Sequence, residues 1–281
     1  MATSVPLLKN FEINVSLTGV AELAFNKPQK YNALSPDMYK DWLTALQWAA
    51  RCDAVKVAVL TGRGHYYTSG KELVLNEQPE EKEKVMEQRK ELIHFPKLLI
   101  AAYKSVGNAI GFGVTSMALC DVIYAVPEAT FHTPFMKLGF CAEACSSYLF
   151  PKIMGRSKAN EMLLMGRVFT ADELSQCGFI SCTLPSEGFR ERVLAIAEDA
   201  AKFSAEAIAV TKKLIRDTDR DVLLKVNKEE MARLTERLAS PDSQAAVAAF
   251  VDQARRKKES KRAKKKLQQQ QQSPTQHTSR L

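Results

Sequence analysis

The chain has 281 residues, 46% apolar and 26% charged, enough for one large domain with appendages. No apolar run approaches the ~20 residues of a membrane span. The start, MATSVPLLKNFEINVSL, has neither the basic-then-apolar order of a secretory signal nor the Arg-rich amphipathic character of a mitochondrial presequence. The formal net charge of +8 is local: residues 255–281 hold ten Lys/Arg against the single acid Glu259, while the remaining 254 residues carry 30 basic and 31 acidic groups. No basic, aromatic-interleaved surface of the kind that binds nucleic acid precedes residue 255, so no nucleic-acid partner is expected. The six cysteines are scattered without zinc-ligand spacing, which predicts free thiols and no metal site.

In chain order, residues 11–25 predict two short strands around a turn at Thr18-Gly19. NKPQKYNA at 26–33 is a polar loop. Ser35-Pro36 reads as an N-cap with proline at the first helical position, opening a helix to about Ala50 that carries Met38, Trp42, Ala45, Leu46 and Ala49 on one face. Val55–Thr61 predicts a buried strand, followed by the glycine-bearing loop GRGHYYTSG. Residues 76–95 are charge-dense and helix-prone, with Val85, Met86, Leu92 and Ile93 as the inward-facing candidates. Buried strands are expected at 98–102 and 121–126, and a buried helix over 114–119.

Further on, 131–139 reads as a loop or short strand, 146–155 and 157–164 as short helices, and Thr170–Glu173 as a capping box closed by Gly178. Ile180–Leu184 is expected at a sheet edge. Helices are predicted over 188–203, 205–217 and 219–238, with a last one starting at Ser240-Pro241. Alternating strands and helices followed by helices alone indicate an α/β core with a helical C-terminal region. Residues 258–281, rich in Lys and Gln, are expected to be unstructured.

Chemistry is concentrated around AAYKSVGNAIGFGVTSMALC at 101–120, a strand that turns through Gly107, Gly111 and Gly113 into a helix. Such a turn leaves main-chain N–H groups at the positive end of a helix, where an anion or developing oxyanion is stabilised. The spacing matches neither the dinucleotide fingerprint nor the P-loop. The loop Tyr67–Leu73 follows the strand before it in the same manner. If the two turns face each other, two N–H groups converge on one oxygen; otherwise the glycines only permit close packing. Glu143 reads either as a helix-capping carboxylate or as an acid/base. His65, His94 and His132 have no paired carboxylate or serine at readable spacing, and Ser69 lacks the context of a nucleophile.

Four stretches in order, NKPQKYNAL, VLTGRGHYYTSGKEL, VGNAIGFGVTSMALCDVIYA and FHTPFMKLGF-x-AE-x-CSSYLFPKIMG, resemble the crotonase (enoyl-CoA hydratase/isomerase) superfamily, and within it the peroxisomal-type Δ3,Δ2-enoyl-CoA isomerases. The resemblance spans about residues 10–255. It implies a crotonase fold of repeated ββα units (1–200), a C-terminal helical trimerisation region (201–257), and an acyl-CoA thioester as ligand, with no cofactor beyond that coenzyme A. By motif position it implies oxyanion donors at the N–H groups of Ser69 and Phe112. It also implies a thioester-lining loop of Ser69, Gly70, Lys71, Glu72 and Leu73, and a CoA nucleotide near Lys30 and Tyr31. The two carboxylates of the hydratases are replaced by Thr115 and Phe135, and the acid/base of the isomerases falls on Glu143, flanked by Ala142 and Ala144 where proline and glycine are common.

The implied activity is a double-bond shift from 3-enoyl-CoA to 2-trans-enoyl-CoA in β-oxidation. The alternatives are another crotonase reaction such as hydration, or a non-catalytic acyl-CoA-binding or scaffold role. Ser279-Arg280-Leu281 is a variant of the S-K-L address, which predicts a peroxisomal import receptor as partner and the peroxisome as location, with cytoplasm, mitochondrion and nucleus as alternatives.

Overall fold

A computed structural model describes residues 4–72, 79–104 and 108–271. The N-terminal hairpin forms as expected: β1 (Phe11–Val15) runs antiparallel to β2 (Val20–Phe25), with Phe11 opposite Phe25. From β2 onward the main sheet is parallel. β2 pairs with β3 (Val57–Gly62), β3 with β4 (Leu98–Tyr103), β4 with β6 (Val122–Ala125), and β6 with the edge strand β9 (Cys182–Thr183). A second sheet holds β5 (Asn108–Ile110), β7 (Thr130–His132) and β8 (Phe169–Thr170). Successive strands β4, β5, β6 and β7 therefore alternate between the sheets, which gives the ββα repeat expected of a crotonase fold. The strands buried on both faces are the continuous apolar runs, as parallel sheets require.

Helix α1 (Pro36–Arg51) starts where Ser35 accepts a bond from Met38 N, and it buries Met38, Trp42, Ala45, Leu46 and Ala49. Trp42 stands edge-on to Phe25, ring centroids 4.8 Å apart, and 5.7 Å from Phe112, so α1 seals the region behind the second glycine turn. Helix α2 (Pro79–His94) buries Val85, Gln88, Arg89, Leu92 and Ile93. The central helix is shorter than expected: α3 (Phe112–Thr115) gives way to a 3₁₀ segment, Ser116–Leu119, all of it buried. α4 (Ser146–Met154), α5 (Arg156–Leu163) and α6 (Ala171–Gln176) follow, the last with its capping box complete, and then α7 (Phe189–Ala201).

Two sequence expectations are corrected in the C-terminal region. The break at Asp217–Asp219 is absent: α8 runs from Ala205 to Ala239. Low helix propensity there is worth at most about 0.7 kcal/mol per residue. It is outweighed by Asp219 bonding Tyr148 and Lys152 and by Asp217 pairing with Arg220. Lys212 and Arg216 tie the helix to the core through Asp121. Residues 258–271, expected to be unstructured, continue α9 (Pro241–Gln271). No Gly or Pro occurs between Asp242 and Ser273, and the Lys, Arg, Gln and Ala of this stretch are strong helix formers. Ser279-Arg280-Leu281 lies outside the described residues.

Candidate active site

The parallel pairing of β3 with β4 sets their C-terminal ends side by side, and the chain segments leaving them form the site. Gly70, at φ +84°, lies so close to the Ile110 carbonyl that a Cβ there would approach its oxygen to 2.6 Å. A Cβ on Gly113 would come within 2.6 Å of the Thr68 methyl. The two glycine turns are thus in contact, and a side chain at either position would wedge them apart.

Asn32, fully buried in the first motif, locks the loop to this position. Its Oδ1 accepts from Lys27 N at 2.7 Å, its Nδ2 donates to Arg63 O at 2.9 Å and Tyr66 O at 2.6 Å, and its carbonyl accepts from the Thr68 hydroxyl at 2.7 Å. Lys30 is exposed at the end of a 3₁₀ turn, and Tyr31, also exposed, stacks edge-on to Tyr66. Its carbonyl carries a correction: Ser69 N–H, the expected oxyanion donor, donates to Tyr31 O at 3.0 Å. Gly70 N–H is taken by Thr68 Oγ1, and Glu72 N–H by Leu34 O. The parallel bridge between Leu34 and Lys71 leaves the Lys71 N–H directed away from Leu34. Glu72 is exposed, and Leu73 lies outside the described residues.

Phe112 opens α3 after Gly111, so its N–H lies in the first turn, where a helix supplies no acceptor of its own. Its ring is buried, and the Arg89 guanidinium sits over it with Cζ 4.9 Å from the centroid. Nη2 of the same guanidinium donates to Glu143 Oε2. One buried arginine therefore bridges the residue of the second glycine turn and the carboxylate identified from sequence. Glu143 is 7% exposed, which removes the reading of it as a solvent carboxylate. Nor does its carboxylate cap α4: that role belongs to Glu230 of α8, which accepts from Cys145 N at 2.6 Å, Ser147 N at 2.9 Å and Ser147 Oγ at 2.6 Å. Burial raises the Glu230 pKa above the usual carboxylate range, against the lowering effect of these bonds. Main-chain strain marks this corner, with Ala144 at φ +54° and Cys145 at φ +63°.

The segment leading to Glu143 is held from the C-terminal helices, where Arg237 Nε donates to Gly139 O at 2.8 Å and Ser243 Oγ to Leu138 O at 3.1 Å. Burial, then Glu230, pushes the Cys145 thiol up to about 12, and burial pushes Cys141 up to about 11, so both stay protonated beside Glu143. Burial, then Lys137, lowers the pKa of His132. Thr115 and Phe135, at the hydratase carboxylate positions, are both buried.

Sequence reasoning missed Asn32, Arg89 and Glu230. A signal existed for the last two. Arg89 occupies the helical spacing of Val85 and Leu92, and Glu230 that of Leu223, Asn227 and Leu234, so each charge stands on an inward stripe.

Comparison with known proteins agrees with this geometry. The enoyl-CoA hydratase/isomerase family model matches residues 16–261. The chain is 39% identical over 245 residues to human enoyl-CoA delta isomerase 2, covering 84% of this chain and 61% of that protein. It is 38% identical over 242 residues to mouse enoyl-CoA delta isomerase 3, peroxisomal, covering 83% and 75%. Its match thus spans somewhat under two thirds of the human relative. Among solved structures, the enoyl-CoA hydratase/isomerase of Pseudoalteromonas atlantica T6c superposes with a TM-score of 0.80 at 28% identity, covering 87% of this chain and 98% of that one. With the alternating two-sheet core, the touching glycine turns and these matches, the chain belongs to the enoyl-CoA hydratase/isomerase family and has its crotonase fold.

Proposed function

We propose that the protein is a Δ3,Δ2-enoyl-CoA isomerase in which Glu143 shuttles a proton between C2 and C4 of the acyl chain. Glu143 takes the C2 proton of a 3-enoyl-CoA, and the electron pair delocalises onto the thioester oxygen as a dienolate. The same carboxyl returns the proton to C4, leaving the double bond between C2 and C3. The observation that carries this reading is a buried carboxylate, joined to the second glycine turn through Arg89, whose side chain is not committed to capping a helix. Thr115 and Phe135 support isomerisation over hydration, since neither side chain can activate water as a carboxylate does. The names of the human and mouse relatives support the same reaction.

The oxyanion would be held by the N–H of Phe112 and that of Lys71, in place of Ser69, because the pairing with Leu34 orients the Lys71 amide away from that strand. Lys30 and Tyr31 remain the proposed neighbours of the CoA nucleotide. The test is product analysis with purified protein. 3-Hexenoyl-CoA should yield 2-trans-hexenoyl-CoA with little 3-hydroxyacyl-CoA; a predominance of the hydroxy product would make the protein a hydratase.

One observation favours a second reading, a non-catalytic acyl-CoA-binding role: Arg89 holds Glu143, and proton uptake by Glu143 forfeits that charge-assisted bond. Binding of the thioester without turnover would support it.

Assembly into a trimer is supported by apolar side chains left exposed on one chain, among them Met165, Phe203, Leu214 and Ile215. Light scattering giving a monomer mass would refute it. The peroxisomal location is supported by the mouse relative's name and by the Ser279-Arg280-Leu281 tripeptide.

A further inference from the structure

The proposed reaction has no use for a cation beside its base, yet Arg89 is there and 1% exposed. Nη2 donates to Glu143, Nη1 lies against the Met231 sulfur, and Nε has no acceptor among the described residues. A buried guanidinium with five donors and one carboxylate oxygen is under-satisfied. Beside it lies a cavity of about 10 Å³, roughly room for one water. Among the described residues it is bordered by Lys71, Arg89 and Thr235 and by apolar side chains that include Val85, Met231 and Leu234. The cavity therefore has an unmatched guanidinium donor, Arg89 Nε, at its edge.

Resting on the isomerase reading, the geometry constrains where an acyl chain runs. A carboxylate that serves C2 and C4 must stand within ~3.5 Å of both. Arg89 donates to that carboxylate, which on this reading puts the guanidinium one carboxylate's width from the C2–C4 segment. We propose that Arg89 is a specificity-determining residue selecting enoyl-CoAs whose acyl chain carries a carboxylate one or two carbons beyond C4. That carboxylate matches the guanidinium fork and draws it from Glu143. Glu143 is then released from its ion pair and freed for the substrate. A plain alkyl chain offers Arg89 no acceptor and leaves it on Glu143.

The test has a binding arm and a turnover arm, on the full chain. Calorimetry compares hexanoyl-CoA with adipoyl-CoA, its six-carbon analogue ending in a carboxylate, on wild type and Arg89→Met. Adipoyl-CoA is expected to bind at least roughly tenfold more tightly to wild type, with the preference lost in Arg89→Met and partly kept in Arg89→Lys. In turnover, the kcat/KM ratio of 3-hexenedioyl-CoA to 3-hexenoyl-CoA should favour the former in wild type and fall at least tenfold in Arg89→Met. Each ratio is internal to one protein sample, so partial loss of folding does not imitate the effect; Arg89→Gln replaces Arg89→Met if the latter does not fold. Hexanoyl-CoA binding as tightly as adipoyl-CoA to wild type, or an unchanged preference in the charge-removing variant, overturns the proposal. A preserved binding preference with no turnover of either ester would sink the isomerase reading and leave anion selection standing.

Discussion

Removing one member of the Arg89–Glu143 pair leaves the other as an unmatched buried charge. The two side chains are 1% and 9% exposed, so neither bulk water nor salt screens them as at a surface pair. Deleting one partner of such a pair costs about 3–5 kcal/mol, whereas replacing both by uncharged groups of similar volume is often close to neutral. Arg89→Met is expected near 3 kcal/mol, within that range; Glu143→Gln, which keeps a carbonyl acceptor for Nη2, about 2 kcal/mol, a little below it. The double variant should be destabilised by no more than about 1–2 kcal/mol, giving a coupling of roughly 3 kcal/mol between the two sites. Equilibrium urea unfolding of the four proteins measures it. A coupling below about 0.5 kcal/mol would mean that the charges do not meet in a dry environment, and the description of the site would fail with it.

Other elements give further tests. Glu22 is enclosed by Arg63 at 2.8 Å and Arg190 at 2.7 Å. Burial raises its pKa, but the bonds from both arginines outweigh this and hold it at about 2. A carboxyl whose pKa is depressed on folding contributes stability above its unfolded value and loses it as pH falls through the folded one. Stability should therefore drop between about pH 4.5 and 2, by roughly 3 kcal/mol from this group, and Glu22→Gln should flatten that part of a pH–stability curve. Gly70→Ala forces a side chain into a φ of +84° and against the Ile110 carbonyl, so it should cost at least about 2 kcal/mol and weaken thioester binding; wild-type melting and binding would contradict the contact between the turns. Thr170→Ala removes the bond to Glu173 N at 3.2 Å and should cost about 1 kcal/mol in denaturant unfolding, with no effect on turnover.

The scaffold was largely legible because local chemistry and tertiary structure agree along it. Apolar runs became the parallel strands, Ser35-Pro36 began α1, and Thr170–Glu173 formed its capping box. Legibility failed where distant contacts decide. The joint at Asp217–Asp219 reads as a break by propensity, yet α8 runs through it, with Asp219 bonded to Tyr148 and Lys152 of α4. Which amides of the Thr68–Glu72 turn pair with Leu34, and which point away from it, follows from the bridge between Leu34 and Lys71, a register no local motif encodes. Arg89 and Glu230 stand on inward stripes of charge-rich helices, and the packing of α2 on α8 buries them. A resemblance indicated Glu143, whereas its pairing with Arg89, 54 residues earlier, is a distant contact that no local pattern encodes.

The central claim is that Glu143 moves the proton, and single-turnover and steady-state assays of 3-hexenoyl-CoA with wild type and Glu143→Gln test it directly, alongside the affinity of each for hexanoyl-CoA. In Glu143→Gln, kcat should fall about 100-fold or more, with affinity changed only a few-fold. Wild-type turnover by the Gln variant would contradict it, because an amide cannot carry a proton from C2 to C4.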